Sequence, residues 1–403
     1  EISGTLQESG EFEVLISATN QYGTDTQTLK LTIDPAPHDV DKNKELLIVD
    51  PDVVGHAELV GANKLLHFRT VMTRLANGAD VDAFADGWFE LWGSTQTIDN
   101  GHMAVARTRA RDQFKTAWAN NQVRLIAIVN RIDLTKFQDN DITRPRLLGE
   151  GRLVYEVPGN PFTVILEYGL PRRSGDINAD LESWAGDWHQ LGKPGLTLDQ
   201  QIANLSDLLG EITTADNLRQ ARTNHLFGPW ELREFHLDNG ARRLVQAPTA
   251  QTPDKRFNDQ APFKEFIRDN LATILNGGHE IPPEMLAANV PVDGGWRAGG
   301  EDDRARMVVA FNTCDGCHQA PEVPGVPFQH IRGNGAGMPA ALSAFLAGPV
   351  TLAHPLPGAD SNTHDEMAQR VAILERIVNP TRESFQRQSY VPYMIQNRAN
   401  REH

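Results

Sequence analysis

The chain holds only two cysteines in 403 residues, so no disulfide framework staples it and a small disulfide scaffold is excluded. No apolar run approaches the roughly 18 residues that a membrane span needs, which argues against a transmembrane helix. A basic surplus is also missing: 38 Lys and Arg stand against 53 Asp and Glu. The resulting net charge of −15 repels phosphate backbones and argues against nucleic acid as a partner. Nucleophile elbow, phosphate loop and paired catalytic carboxylates are absent as motifs. Lysine disappears after Lys264, and over 301–403 nine arginines face eleven acids. The first residue is Glu1 and no charged-then-apolar leader follows it, so a signal peptide is expected to have been removed.

What remains is an ordinary soluble composition, 40% hydrophobic and 23% charged, in a chain longer than the roughly 250–300 residues one core fills. Two or three domains of class α+β are expected. Residues 11–33 alternate apolar and polar, with Phe12, Val14, Ile16 and Ala18 before Tyr22-Gly23 and Leu29, Leu31 and Ile33 after it, the pattern of two strands around a turn. The division expected is a β segment over 1–35, a linker over 36–44, a central antiparallel sheet with helices over 45–300, and a mainly helical lobe over 301–403.

In the central part, helical stripes run through Leu65, Phe68, Val71, Met72 and Leu75, through Phe84, Trp88, Leu91 and Trp92, and through Met103, Ala106, Ala110, Phe114 and Ala117. Strands are expected at 123–132, 152–157 and 162–170, the last two joined by Pro158-Gly159-Asn160-Pro161. A second hairpin turns at Asp238-Asn239-Gly240, where Asn-Gly tolerates positive φ. Capping boxes are read at Thr197 with Gln200 and at Thr363 with Glu366.

The chemistry concentrates in Cys314-Asp315-Gly316-Cys317-His318. Two thiolates three residues apart can each add to a vinyl group of one heme, and the next imidazole then reaches the iron as axial ligand. The competing readings are a plain disulfide and a thioredoxin-like dithiol. The dithiol belongs between a strand and a helix, whereas these cysteines follow the helical stripe of Arg304 to Asn312. Zinc would need two further ligands nearby, and no second cysteine pair exists. For the sixth iron position, His330 lies twelve residues after His318 and Met338 twenty after it; histidine leads, and an open or more distant position is the third option. A weak calcium candidate is Asp176, Asn178, Asp180 and Asp187, with Leu181 where the loop wants glycine. Glu234 with His236, and His189 beside Trp184 and Trp188, read first as sheet and core residues.

Two resemblances add to this. Gly4 to Ile33 resembles the last strands of immunoglobulin-like repeats of bacterial surface proteins, about a third of such a sandwich. The segments Val129 to Leu134, Gly149 to Arg152, Phe162 to Pro171, Trp188-His189, Trp230 to Phe235, Gln251 to Pro253 and Phe311 to His318 are similar to a family of exported bacterial proteins. Phe328 to Ile331 and Leu342 to Leu346 extend the likeness, which is why His330 precedes Met338. The resemblance implies export to the periplasm or cell surface and one heme c in a cytochrome c-like lobe. The function expected is one-electron transfer to a redox partner protein. A peroxidase-like heme enzyme and a surface adhesin are the alternatives, with homo-oligomers formed through the immunoglobulin-like segment.

Overall fold

A computed structural model describes residues 10–33, 38–97, 103–138, 141–159, 161–226, 230–276, 278–287, 295–313, 329–355 and 361–379. The chain divides into two compact units, Glu1–Asp39 and Val40–His403. The first contains strands β1 (Gly10–Asn20) and β2 (Gly23–Ile33), paired antiparallel about Gln21-Tyr22. Their register sets Phe12 opposite Leu31 and Val14 opposite Leu29, as the alternation requires.

In the second unit seven strands form one antiparallel sheet: β3 (Leu47–Ile48), β4 (Arg124–Arg131), β5 (Glu150–Glu156), β6 (Phe162–Gly169), β7 (Leu218–His225), β8 (Glu231–Asp238) and β9 (Arg243–Ala247). Sheet order follows chain order, so each strand lies beside its predecessor. Helices α1 (Phe68–Ala76), α2 (Val81–Gly93) and α3 (Thr108–Ala119) fill the connection from β3 to β4, and α4 (Ile177–Gln190) and α5 (Leu198–Ile212) that from β6 to β7. After the sheet come α6 (Ala261–Asp269), α7 (Leu271–Leu275), α8 (Asp303–Phe311) and α9 (Glu366–Val378). The stretch from 301 onward belongs to this same unit, and Met307 to Phe311 lie in its continuous apolar core.

One sheet face is apolar because Leu153, Tyr155, Phe162, Val164, Leu166 and Phe235 recur at every second position. It meets the aromatic stripes of α1, α2 and α3. Phe114 packs on Phe89 at 4.2 Å, Trp88 at 5.2 Å and Phe162 at 5.3 Å between ring centroids, and Trp88 meets Phe235 edge-on at 5.6 Å. Gly151 lets α5 approach: a Cβ there would sit 3.1 Å from Ile212 Cγ2.

Local signals succeed where nothing long-range competes. Thr197 and Gln200 form both bonds of a capping box at the start of α5. The expected box at Thr363 does not form. Thr363-His364 pairs as a short strand with Val350-Thr351, Asp365 caps α9 instead, and Glu366 turns inward to charged partners. The stripe read from Met103 becomes a helix only at Thr108, because Met103-Ala104 pairs with Gln96-Thr97 and Arg107 N–H donates to Trp92 O. At the Asp238 hairpin the positive φ falls on Arg242, at 51°, since Asp238 and Arg243 pair and leave a four-residue loop.

Phe114→Ala removes the ring on which two helices and the sheet converge and is expected to cost about 3–5 kcal/mol, read by denaturant unfolding. Thr197→Ala, which loses only a cap, is expected to cost about 1 kcal/mol.

Candidate functional site

The opposite sheet face is charged. The same alternation that puts apolar residues on one side puts Arg131, Glu150, Arg152, Glu167, Arg222 and Glu234 on the other, and every one of them is buried. From Glu150 to Glu234 they pair in a continuous row across β5 to β8, while Arg131 pairs with a second set. Arg152 Nη2 lies 2.8 Å from Glu150 and 3.0 Å from Glu167, and Arg222 lies 3.2 Å from Glu167 and 3.0 Å from Glu234. Arg219 closes one end on Glu150 at 2.9 Å, and His236 Nε2 closes the other on Glu234 at 2.8 Å. At β4, Arg131 holds Asp133 at 3.0 Å and reaches Glu366 at 3.9 Å, which Arg370 holds at 2.6 Å. Glu366 and Arg370 are on α9, so Arg131 ties that helix to β4.

Burial by itself would raise these carboxyls, but the guanidiniums outweigh it at most of them. Arg152 and Arg219 hold Glu150 down at about 2, and Arg370, His364 and Arg131 hold Glu366 well below the usual range. Glu167 goes the other way. Burial pushes it up against the pull of Arg152 and Arg222, and Glu150 and Glu234 add to the rise.

Above this row lies a cavity of about 90 Å³. The sheet side is formed by Arg152, Glu167 and Arg222, and the cover by His330, Phe345 and Arg370. His330 Nδ1 is 2.9 Å from Ser343 Oγ, and its ring lies 5.2 Å from Phe345. Phe345 in turn stacks on His364 at 5.4 Å and packs on Phe311 at 5.8 Å. Phe311 ends α8. Cys314 comes three positions later in the sequence, with Asn312 and Thr313 between. At about 90 Å³, with a charged floor, this cavity is too small for a heme, and the described residues around it do not form a heme pocket.

Cys314, Cys317 and His318 lie outside the described residues. His330 and Met338 are not brought together. Met338 is 56% exposed and lines a separate cleft with Pro51, Leu66 and Ile126. The calcium candidates do not converge: Asp176 caps α4, Asp180 pairs with Arg172 at 2.5 Å, and Asp187 with Arg173 at 2.5 Å along the same helix. His189 Nδ1 bonds buried Glu45 at 2.7 Å, while Trp184 and Trp188 fill core. Glu234 belongs to the charged row, which sequence reasoning missed although charges at alternate positions of otherwise apolar strands were visible.

Comparison with protein-family models, curated proteins and solved structures finds no match for this chain. No helix among the described residues is long and apolar enough to cross a membrane.

Arg222→Met leaves Glu167 and Glu234 buried without their shared partner and is expected to cost about 3–5 kcal/mol. Lys64→Ala, at the exposed pair with Glu58, is expected to change stability by no more than about 0.5 kcal/mol. Glu150 is depressed from an ordinary 4.5 to about 2, so its contribution is complete above 4.5 and fades as pH falls through about 2. Urea midpoints measured across that window should fall for the parent and fall less for Glu150→Gln.

Proposed function

We propose that this protein is an exported one-heme c-type cytochrome that works by one-electron transfer outside the cytoplasm. Cys314 and Cys317 would hold the heme through thioethers and His318 would be its proximal ligand. When bound, the heme supplies a ferric/ferrous couple. One observation carries the reading: the only two cysteines stand in a Cys-x-x-Cys-His run that follows α8 by three residues, and the end of α8 meets a histidine-bearing aromatic cluster.

The chain's own residues perform three tasks in this scheme. Phe311, Phe345 and Leu346 exclude water. The buried row fixes α9 and the cover against the sheet, so little rearrangement is needed when the iron changes charge. His330 would be the distal ligand in this reading, with Met338 exposed on another cleft, and a histidine would lower the potential relative to methionine. The 301–403 stretch is read as the cytochrome-like lobe, and β1 and β2 as the end of an immunoglobulin-like module at the cell surface, through which copies could associate by strand addition.

The cavity beside His330 favours a second reading, a heme enzyme that admits a small oxidant. Spectra and ligand binding separate the two. A carrier should cycle between ferric and ferrous states with dithionite and ferricyanide while ignoring carbon monoxide and peroxide. Rapid carbon monoxide binding with peroxide turnover would replace the carrier by the enzyme. A protein with no visible absorption in either state would defeat both.

A further inference from the structure

Arg152 and Arg370 both border the cavity above the charged row, and they are 7% and 4% exposed. Arg152 donates from Nε and Nη2 to Glu150 and brings Nη2 within 3.0 Å of Glu167. Arg370 donates from Nε to Glu366 and holds Nη2 2.6 Å from the same carboxylate. Nη1 of each guanidinium has no hydrogen-bond partner among the described residues. The neighbouring carboxylates are already engaged: Glu167 also accepts from Arg222 at 3.2 Å and from Gln220 at 2.9 Å, and Glu366 is shared by Arg370 and His364. A buried guanidinium with N–H groups left over is costly, so an acceptor is expected in the space that the two arginines share.

Size and wall chemistry narrow the acceptor. An engineered apolar cavity of roughly 150 Å³ takes benzene, with its six carbon atoms, so about 90 Å³ leaves room for about four or five non-hydrogen atoms. Water alone suits the space poorly, because a buried water wants two to four polar partners and Val154, Ile165, Phe345 and Leu346 offer side chains with none. A carboxylate presents acceptors only, in the planar pair that guanidinium N–H groups match, and a short alkyl end can lie on those apolar walls. Charge agrees. Three arginines face three glutamates along the row, and around α9 two arginines face one aspartate and one glutamate, so both sets are balanced when every acid is ionised. Burial raises Glu167 alone among these acids, and with a proton on Glu167 the row carries one positive charge that an anion in the cavity neutralises.

We propose that this cavity binds a two- or three-carbon monocarboxylate, of the class of acetate and propionate, with its carboxylate on Arg152 and Arg370 and its alkyl end against Val154 and Ile165. The assignment does not rest on the heme reading. Isothermal titration of the purified full chain with sodium acetate, propionate and hexanoate at constant ionic strength tests it. Acetate and propionate should bind one to one with dissociation constants of roughly millimolar or tighter, and hexanoate, too long for the space, should not bind. Val154→Leu adds a carbon to the wall and leaves every charge in place; it should weaken propionate by about tenfold or more and acetate by less. Arg370→Lys keeps a cation beside Glu366 but removes the spare guanidinium nitrogen, and should weaken both acids by about tenfold or more. Should the buried lysine unfold the chain, as circular dichroism would show, Val154→Leu decides. A cavity filled by water alone would bind neither acid, and that result would overturn the proposal. Hexanoate bound as tightly as propionate, binding unchanged in Val154→Leu or in folded Arg370→Lys, or equal competition by chloride would overturn it too. So would a visible spectrum that shifts as acetate binds, which would put the ligand on an iron instead of in this cavity.

Discussion

Nine buried ionisable groups, Arg131, Asp133, Glu150, Arg152, Glu167, Arg222, Glu234, Glu366 and Arg370, form the constraint on which the second unit is organised. Charges removed from water are tolerated only when geometry and hydrogen bonds compensate them nearly in full, so strands β5 to β8 are held in register by charge pairs as well as by backbone bonds. A slip of one residue would turn guanidiniums into the aromatic face and phenylalanines into the charged one. The row also explains why the stretch after 300 does not stand apart. Glu366 and Arg370 complete the set that Arg131 and Asp133 begin, so α9 is electrostatically part of the sheet.

Such a row is an expensive way to build a scaffold, since apolar residues of similar volume would serve stability as well or better. Its placement gives it a purpose in the proposed scheme. It floors a cavity whose cover carries His330 and Phe345, the latter packed on Phe311 at the end of α8. Were the proposed heme to sit near this row, its paired charges would hold their positions on a change of iron charge and keep the reorganisation small.

Much of this architecture is legible in the sequence. The alternation of β1 and β2, the stripes of α1 and α2, the hairpin of β5 and β6 and the cap of α5 are local consequences of side-chain spacing and turn chemistry. What is illegible depends on distant partners. The start of α3 is set by a two-residue strand and by Trp92 O, and the start of α9 by the ion pairs of Glu366, neither of which a window of neighbouring residues reveals. The site divides in the same way. Cys314, Cys317 and His318 announce themselves by spacing alone. The charged row needs strand register, which no window of neighbouring residues reveals.

The central claim is covalent attachment of one heme at Cys314 and Cys317, and intact mass spectrometry of the denatured protein tests it most directly. The account predicts a mass above that of the polypeptide by a single heme, lost when both cysteines are replaced by serine. A mass equal to the polypeptide, or lighter by the two hydrogens of a disulfide, would contradict it.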